Sequence, residues 1–131
     1  MTTDREQIAD LVHCYSDAVV HRARDQWESC WAEDSLWDLG QDRVIVGRGS
    51  IADHWQESMD RIECVVQMVS NGTATTNDLT GEGRWYFTEH LRRRKLVEVD
   101  RDGVRVREQG RALLGYYAAS IVTPAGGQTL I

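Results

Sequence analysis

The sequence predicts an α+β domain, in which three N-terminal helices pack on a strongly curved, mostly antiparallel sheet and leave an internal pocket. In the first half of the 131 residues, apolar side chains recur at helical spacing. From Val65 onward, turn signals separate apolar runs that are typical of strands. Helices followed by a run of strands indicate the α+β class. Because the chain shows no repeat or linker, we expect residues 1–131 to form a single domain.

The first helix is predicted from Asp4 to Arg22. Thr3 and Glu6 have the spacing of a capping box, in which each side chain binds the backbone N–H of the other residue. One side of the helix is apolar and carries Ile8, Leu11, Val12, Tyr15, Ala18 and Val19. The opposite side carries Glu6, Asp10, His13 and Asp17. This division predicts that the helix lies on the domain surface with one face buried.

The later elements are shorter. In chain order they are predicted as a helix at Asp25–Trp31, strands at Ser35–Leu39 and Arg43–Val46, a helix from its cap Ser50 to Ile62, and strands at Val65–Ser70, Thr73–Asn77, Gly81–Leu91, Leu96–Val99, Val104–Arg107, Arg111–Thr123 and Thr129–Ile131. The pair Asn71 and Gly72 is a strong signal for a tight turn. Arg92–Lys95 is predicted as a polar connection between strands.

The composition argues against several classes of protein. The net charge is −6 and charged residues make up 27% of the chain, which does not suit a nucleic-acid-binding surface. The apolar run Ala112–Val122 is too short to span a bilayer, and no apolar signal segment follows Met1. We therefore expect a cytoplasmic protein with no nucleic-acid or membrane partner.

The cysteines and histidines do not predict a metal site. The three cysteines are Cys14, Cys30 and Cys64, an odd number without a close pair in the sequence. They indicate free thiols in a reducing compartment. His13, Asp17 and His21 recur every four residues, a spacing that could hold a metal ion. A solvated helix face explains them better, so we expect no metal.

Tryptophan is frequent, with five residues against one phenylalanine. A buried indole needs an acceptor for its N–H, so an interior rich in tryptophan is partly polar. These side chains either pack the core or line a pocket, and the pattern leaves both open. In the first half of the chain, the side chains predicted to contact a ligand are Tyr15, Trp31, Trp37, Trp55 and Met59.

A second group of candidates lies on the predicted strand Gly81–Leu91. Successive side chains of a strand point to opposite faces, so Trp85, Phe87, Glu89 and Leu91 share one face. We expect this face to look into the pocket, with Trp85 and Phe87, like Trp31 and Trp37, more than half buried. Glu89 is the candidate catalytic base, and His90 is a second catalytic candidate. The alternative is that Glu89 forms a salt bridge with Arg84 or Arg111 while His90 faces solvent.

Five segments of the chain share a pattern with one family. They are IADLVHCYSDAV, WESCWAEDSLWDL and VGRGSI in the first half, and MVSN and GRWYFTEH in the predicted strands. With this order of elements, the chain resembles the SnoaL-like branch of the nuclear-transport-factor-two-like superfamily, which includes scytalone dehydratase and polyketide cyclases. The resemblance implies a cone-shaped α+β barrel, acid–base chemistry without metal or cofactor, and usually a homodimer or homotrimer.

The resemblance also implies where catalytic residues would stand. In dehydratase-like members, an aspartate late in the first helix and a histidine on the strand after the third helix form a dyad. The matching positions here are Val20 and Gln67, neither of which can take a proton at neutral pH. The usual dyad is therefore expected to be absent. The family's last strand begins at Thr129–Ile131, so we expect this strand to be short or truncated.

Three functional hypotheses follow. The first is a cofactor-free lyase or isomerase for a small cyclic hydrophobic substrate, with Glu89 as base and Tyr15, Gln67 or a tryptophan N–H polarising an oxygen. The second is a binding protein that holds a small hydrophobic ligand without turnover. Either would use a pocket whose sheet-side contacts are Gln67, Trp85 and Phe87. The third is a protein whose sheet mainly mediates assembly.

An exposed apolar sheet face predicts assembly in any of these cases. The strand Arg111–Thr123 is apolar on both sides, and only one side can face the interior. We expect a homodimer or homotrimer packed through Leu114, Tyr116 or Ile121.

Overall fold

The computed structural model describes residues 3–77, 80–100, 103–122 and 131, and the side chains of 3–77, 80–93 and 131. In chain order the elements are helices α1 (Asp4–His21) and α2 (Arg24–Ser29), strands β1 (Leu36–Asp38) and β2 (Val44–Val46), helix α3 (Arg48–Asp60), and strands β3 (Ile62–Asn77), β4 (Thr80–Asp100) and β5 (Gly103–Val122). Helices followed by antiparallel strands confirm the predicted α+β plan.

Helix α1 begins and ends with defined caps. The Thr3 hydroxyl accepts from the Glu6 backbone N–H at 3.2 Å, and the Glu6 carboxylate accepts from the Thr3 N–H at 2.7 Å, which confirms the capping box. The helix ends at Arg22, which has a left-handed φ of 58°. The Arg22 guanidinium donates to the backbone carbonyls of Met59 and Ile62, the latter at 2.6 Å. It thereby ties the end of α1 to the junction of α3 and β3.

Helix α3 starts two residues earlier than the predicted cap. Its N-cap is Gly47, and Ser50 is the third residue of the helix, so the assignment of Ser50 as cap was wrong. Gly47 has a φ of 92°, which glycine adopts without a steric penalty. Its N–H donates to Ser35 O at 2.8 Å, and its carbonyl accepts from the Ile51 N–H. These bonds join the start of α3 to the start of β1.

The larger sheet has the antiparallel order β3–β4–β5, and β1 pairs with β2 in a separate hairpin. Asn71 and Gly72 do not form the predicted turn, because β3 continues through them with a register shift between Val69 and Gly72. Arg92–Lys95 likewise belongs to β4, with a shift between Arg93 and Leu96. Bulges of this kind absorb an irregularity without ending a strand. At each of these two places, the two strands predicted before and after the segment therefore form one continuous strand.

The core forms where α1, α2 and α3 meet the inner face of β3 and β4. Its members include Ile8, Leu11 and Val19 from α1 and Ile51 and Met59 from α3. Trp31 and Trp85 are buried and Trp37 and Phe87 are mostly buried, which confirms the predicted burial of these four rings.

The polar face of α1 is exposed as predicted. His21 and Asp17 are 3.4 Å apart there, with side chains 70% and 57% exposed. Among the residues that the structure describes, no group of histidine, cysteine and acidic side chains is arranged to hold a metal ion. No helix within the same residues is long and apolar enough to cross a membrane. The last residue, Ile131, exchanges backbone hydrogen bonds with Cys30 and Ala32, while 129 and 130 lie outside the described residues.

Candidate functional site

The inner face of the sheet presents a buried amide beside a carboxylate. Gln67 of β3 is paired in register with Glu89 of β4, so their side chains leave the same face. The Gln67 Nε2 donates to the Glu89 Oε2 at 2.7 Å. From α1, the Ser16 hydroxyl donates to the Gln67 backbone carbonyl at 3.1 Å. These bonds fix the position of one carboxylate oxygen relative to the first helix.

Glu89 has no ion-pair partner among the side chains that the structure describes. Arg84 is exposed, whereas the next residue, Trp85, is buried. Because successive side chains of a strand point to opposite faces, Arg84 lies on the face of β4 opposite Trp85 and Glu89. The Arg111 side chain lies outside the described residues, so the alternative of an ion pair with Arg111 stays open. His90 is exposed and pairs in register with the exposed Val66. The strand therefore does not bring His90 to the Glu89 site.

Aromatic rings from all three described helices and β1 form a cluster around Trp27. Its indole stacks on Trp55 with centroids 4.7 Å apart and an interplanar angle of 8°. Trp31 and Trp37 lie at 5.3 Å and 5.4 Å from it, and Tyr15 at 5.4 Å. Tilted and edge-on contacts at these distances are favourable for aromatic pairs. The cluster connects the helices that cover the inner sheet face.

Tyr15 of this cluster interacts electrostatically with the Glu89 carboxylate. Burial raises the pKa of Tyr15 well above its ordinary value, and the negative charge of Glu89 raises it further. The Trp27 N–H acts in the opposite direction and lowers this pKa, although its geometry falls short of a hydrogen bond. Tyr15 is therefore a protonated hydroxyl at neutral pH and can donate a hydrogen bond.

The raised pKa of Tyr15 predicts a loss of stability in alkali. Above about pH 10 the unfolded chain ionises this hydroxyl while the folded chain keeps it protonated, so the stabilisation present below that pH declines as pH rises. Tyr15→Phe should therefore lose less thermal stability than wild type between about pH 9 and pH 11. Thermal unfolding across this range checks the effect. Tyr86→Phe, at an exposed tyrosine, is the matched control and should follow the wild-type curve.

Three buried polar atoms near the cluster lack a hydrogen-bond partner within the described part of the chain. They are the Nε1 atoms of Trp27 and Trp31 and the Oγ of Ser35. Leaving a buried donor unsatisfied costs about 1–3 kcal/mol. The sequence predicts that buried indoles find acceptors, and among the described residues these two have none.

The cysteines are free, as predicted, but two of them are neighbours in space. Burial raises the pKa of the Cys30 thiol to about 12, with a further contribution from the adjacent Cys14 thiol. The sequence separation of Cys14 and Cys30 does not predict this proximity, which arises from the packing of α1 against the end of α2. Cys30 is inert because a thiol with this pKa stays protonated at neutral pH.

The predicted ligand-contact residues fall into two groups. Tyr15, Trp31, Trp37, Trp55 and Met59 lie in or beside the aromatic cluster on the helical side. Gln67, Trp85 and Phe87 lie on the sheet with Glu89. Trp27 and Ser16 were not among the residues predicted for the site. Trp27 could have been found from its four-residue spacing to Trp31, whereas a single serine beside Tyr15 gives no signal.

Comparisons with known proteins identify the same family over nearly the whole chain. A family model described as a SnoaL-like domain matches residues 1–127. A search of curated proteins finds no match.

Solved structures show the same fold at low sequence identity. A candidate scytalone dehydratase from Novosphingobium aromaticivorans superposes with a TM-score of 0.81 at 14% identity, covering 97% of this chain and 78% of that one. A candidate dehydratase of the NTF2-like family from Streptomyces avermitilis gives 0.74 at 12%, covering 95% and 90%. A Catenulispora acidiphila protein in complex with S-DNPA gives 0.65 at 14%, covering 96% and 86%.

Proposed function

The chain belongs to the family of SnoaL-like domains, and from that premise we propose that it is a cofactor-free lyase or isomerase with Glu89 as general base. Its substrate is a small, uncharged, cyclic and largely apolar molecule. The molecule binds in a cone-shaped pocket between the aromatic cluster and the inner face of β3 and β4. The observation that supports this most is the Gln67–Glu89 hydrogen bond on that face.

The proposed reaction needs one base and one hydrogen-bond donor. Glu89 removes a proton from a carbon next to an electron-withdrawing oxygen group of the substrate. The electron pair forms a double bond, and either a leaving group departs, as in a lyase, or the proton returns at another carbon, as in an isomerase. The protonated Tyr15 hydroxyl stabilises the negative charge that develops on the oxygen. Gln67 keeps one Glu89 oxygen in place throughout.

The alternative function is a binding protein that holds the same class of molecule without turnover. It is favoured by Gln67 itself, because an amide stands where dehydratase-like relatives have a histidine, and its N–H group occupies a Glu89 oxygen. Val20, at the position of the dyad aspartate, supports the same alternative. Under either function we expect a cytoplasmic protein that uses no cofactor.

Nitrobenzisoxazole is a suitable probe for the general base, because this small bicyclic molecule opens when one base removes its ring proton. The N–O bond breaks as the proton leaves, and a coloured phenolate forms. Wild type should accelerate the reaction over buffer, and Glu89→Gln should reduce that rate at least about a hundredfold. The rate is measured from the absorbance of the phenolate.

Glu82→Gln is the matched control because Glu82 is an exposed carboxyl on the same strand. It should retain the wild-type rate. Equal rates for wild type and Glu89→Gln would remove the catalytic proposal and leave the binding protein.

Self-association through the outer sheet face is a separate proposal. Val66, Met68 and Tyr86 are 49%, 54% and 42% exposed on that face, and an apolar patch of this kind favours a partner surface. The register pairs Tyr116 with Tyr86 and Leu114 with Thr88, so these predicted contact positions adjoin the patch. Ile121 pairs with Gly81. We expect light scattering at micromolar concentration to give the mass of a dimer or trimer, and Met68→Glu to shift it toward the monomer. A monomer mass for wild type would refute the assembly.

A further inference from the structure

Two indole N–H groups are enclosed in the aromatic cluster without an acceptor in the described residues. Trp27 is fully buried and Trp31 is 4% exposed, and their ring centroids are 5.3 Å apart. Buried donors in native proteins almost always have a partner, whether protein, water or ligand. Two such donors only four residues apart, in α2 and just after its end, therefore indicate that a group outside the described residues accepts from them here.

We propose that the N–H groups of Trp27 and Trp31 form a two-donor subsite for an uncharged acceptor oxygen of the ligand, such as a ketone, ester or ether oxygen. The subsite rests on the proposed function, because it needs a ligand that enters between the cluster and the sheet. With this subsite, the polar end of the ligand lies beside α2 and the residues that follow it. The opposite part of the ligand then lies toward Glu89.

The surrounding groups select a neutral oxygen. An indole N–H donates but cannot accept, and it carries no charge. Tyr15, which contacts both indoles, adds a third neutral donor. Beside the cluster, the Arg48 guanidinium donates to the Trp31 backbone carbonyl at 3.4 Å, and the Glu89 carboxylate acts on Tyr15 from β4. The indole donors supply no positive charge of their own, so a neutral oxygen suits them better than a carboxylate or phosphate, whose burial is costly unless the charge is paired.

Acetophenone and ethylbenzene test the subsite, because they share the ring and the two-carbon side chain and differ in the carbonyl oxygen. The five tryptophans give five indole N–H signals in a proton–nitrogen correlation spectrum. Trp27→Phe and Trp31→Phe assign two of them. Acetophenone should move the signals of Trp27 and Trp31 downfield, as hydrogen bonding does, and ethylbenzene should not.

Binding affinities provide the second measurement. Trp31→Phe keeps an aromatic ring but removes the donor, so it should weaken acetophenone binding about tenfold more than it weakens ethylbenzene binding. Trp27→Phe should act in the same direction. Comparing the two compounds in each variant cancels the effect of ring size and of any general loosening of the cluster.

The possible outcomes are distinguishable. If both compounds bind and the two variants affect them equally, the subsite is wrong while the apolar site stands. If both N–H signals are already downfield and acetophenone leaves them unchanged, a buried water satisfies the donors and the subsite is again wrong. If neither compound perturbs any indole signal, the subsite fails; Glu89-dependent turnover of nitrobenzisoxazole would then still support the proposed function, and its absence would remove both.

Discussion

Replacing Trp27 with alanine is expected to lower the free energy of unfolding by about 3–5 kcal/mol. The side chain is fully buried and contacts four other aromatic rings, so alanine would leave a large cavity at the meeting point of the helices. Few globular domains have more than about 15 kcal/mol of total stability, so the change is large in proportion. Denaturant unfolding followed by circular dichroism measures it.

Trp27→Phe is the graded comparison for this prediction. It retains one ring against Trp55 and should cost clearly less than the alanine variant, because the residual cavity is smaller. It also keeps the prediction measurable if the alanine variant does not fold. A loss below about 1 kcal/mol for Trp27→Ala would contradict the central position of Trp27 in the core.

Substituting alanine for Gly72 or Gly83 is expected to displace the Trp85 ring and to cost about 1–3 kcal/mol each. Gly72 is paired with Trp85 across the sheet, and Gly83 precedes it by two residues on the same strand. A Cβ at either glycine would overlap atoms of the Trp85 ring. Trp85 is buried, so the ring must move against packed neighbours.

Gly49→Ala is the control for these substitutions. Gly49 lies in the first turn of α3, and a Cβ there meets no atom within 4 Å. This variant should be neutral or more stable, since alanine favours the helix. Intrinsic tryptophan fluorescence and chemical unfolding report both effects. Wild-type stability in Gly72→Ala and Gly83→Ala would show that the ring does not occupy this position.

The helical half of the chain was predictable because its signals are local. The capping box at Thr3 and Glu6 and the apolar stripe through Leu11 and Val19 depend on residues within a few positions of one another. The start of α3 was misplaced, and Trp31 and Ile62, the last residues of two predicted helices, lie beyond the ends of α2 and α3. Gly47 caps α3 through its backbone conformation, so a search for capping side chains does not find it.

The strands were less predictable because their continuity depends on cross-strand contacts. Asn71 and Gly72 form a good turn sequence, yet the neighbouring strand holds them extended and places Trp85 over Gly72. In the same way, the polar residues from Arg92 onward continue β4 because β5 pairs with them up to a shift after Arg93. Local sequence contains no information about such partners.

The candidate site was likewise predictable where its signals lie within one strand and unpredictable where they depend on other elements. Alternation along one strand was enough to place Trp85, Phe87 and Glu89 on a common face. The partner of Glu89 was not predictable, because Gln67 approaches from another strand and Ser16 from α1. The lack of an acceptor for the Trp27 and Trp31 N–H groups among the described residues was equally unpredictable, since it depends on how the three helices pack.

The central claim is that Glu89 serves chemistry and not the scaffold, and the thermal unfolding midpoint of Glu89→Gln at neutral pH tests it most directly. An amide oxygen at 89 can accept the same hydrogen bond from Gln67, and the side chain is only partly buried, so its NH₂ group keeps access to water. The account therefore predicts a midpoint within about 2 °C of wild type in the variant that has lost nitrobenzisoxazole turnover. A midpoint more than about 5 °C lower, with the turnover rate retained, would show that Glu89 holds the fold together and would contradict the account.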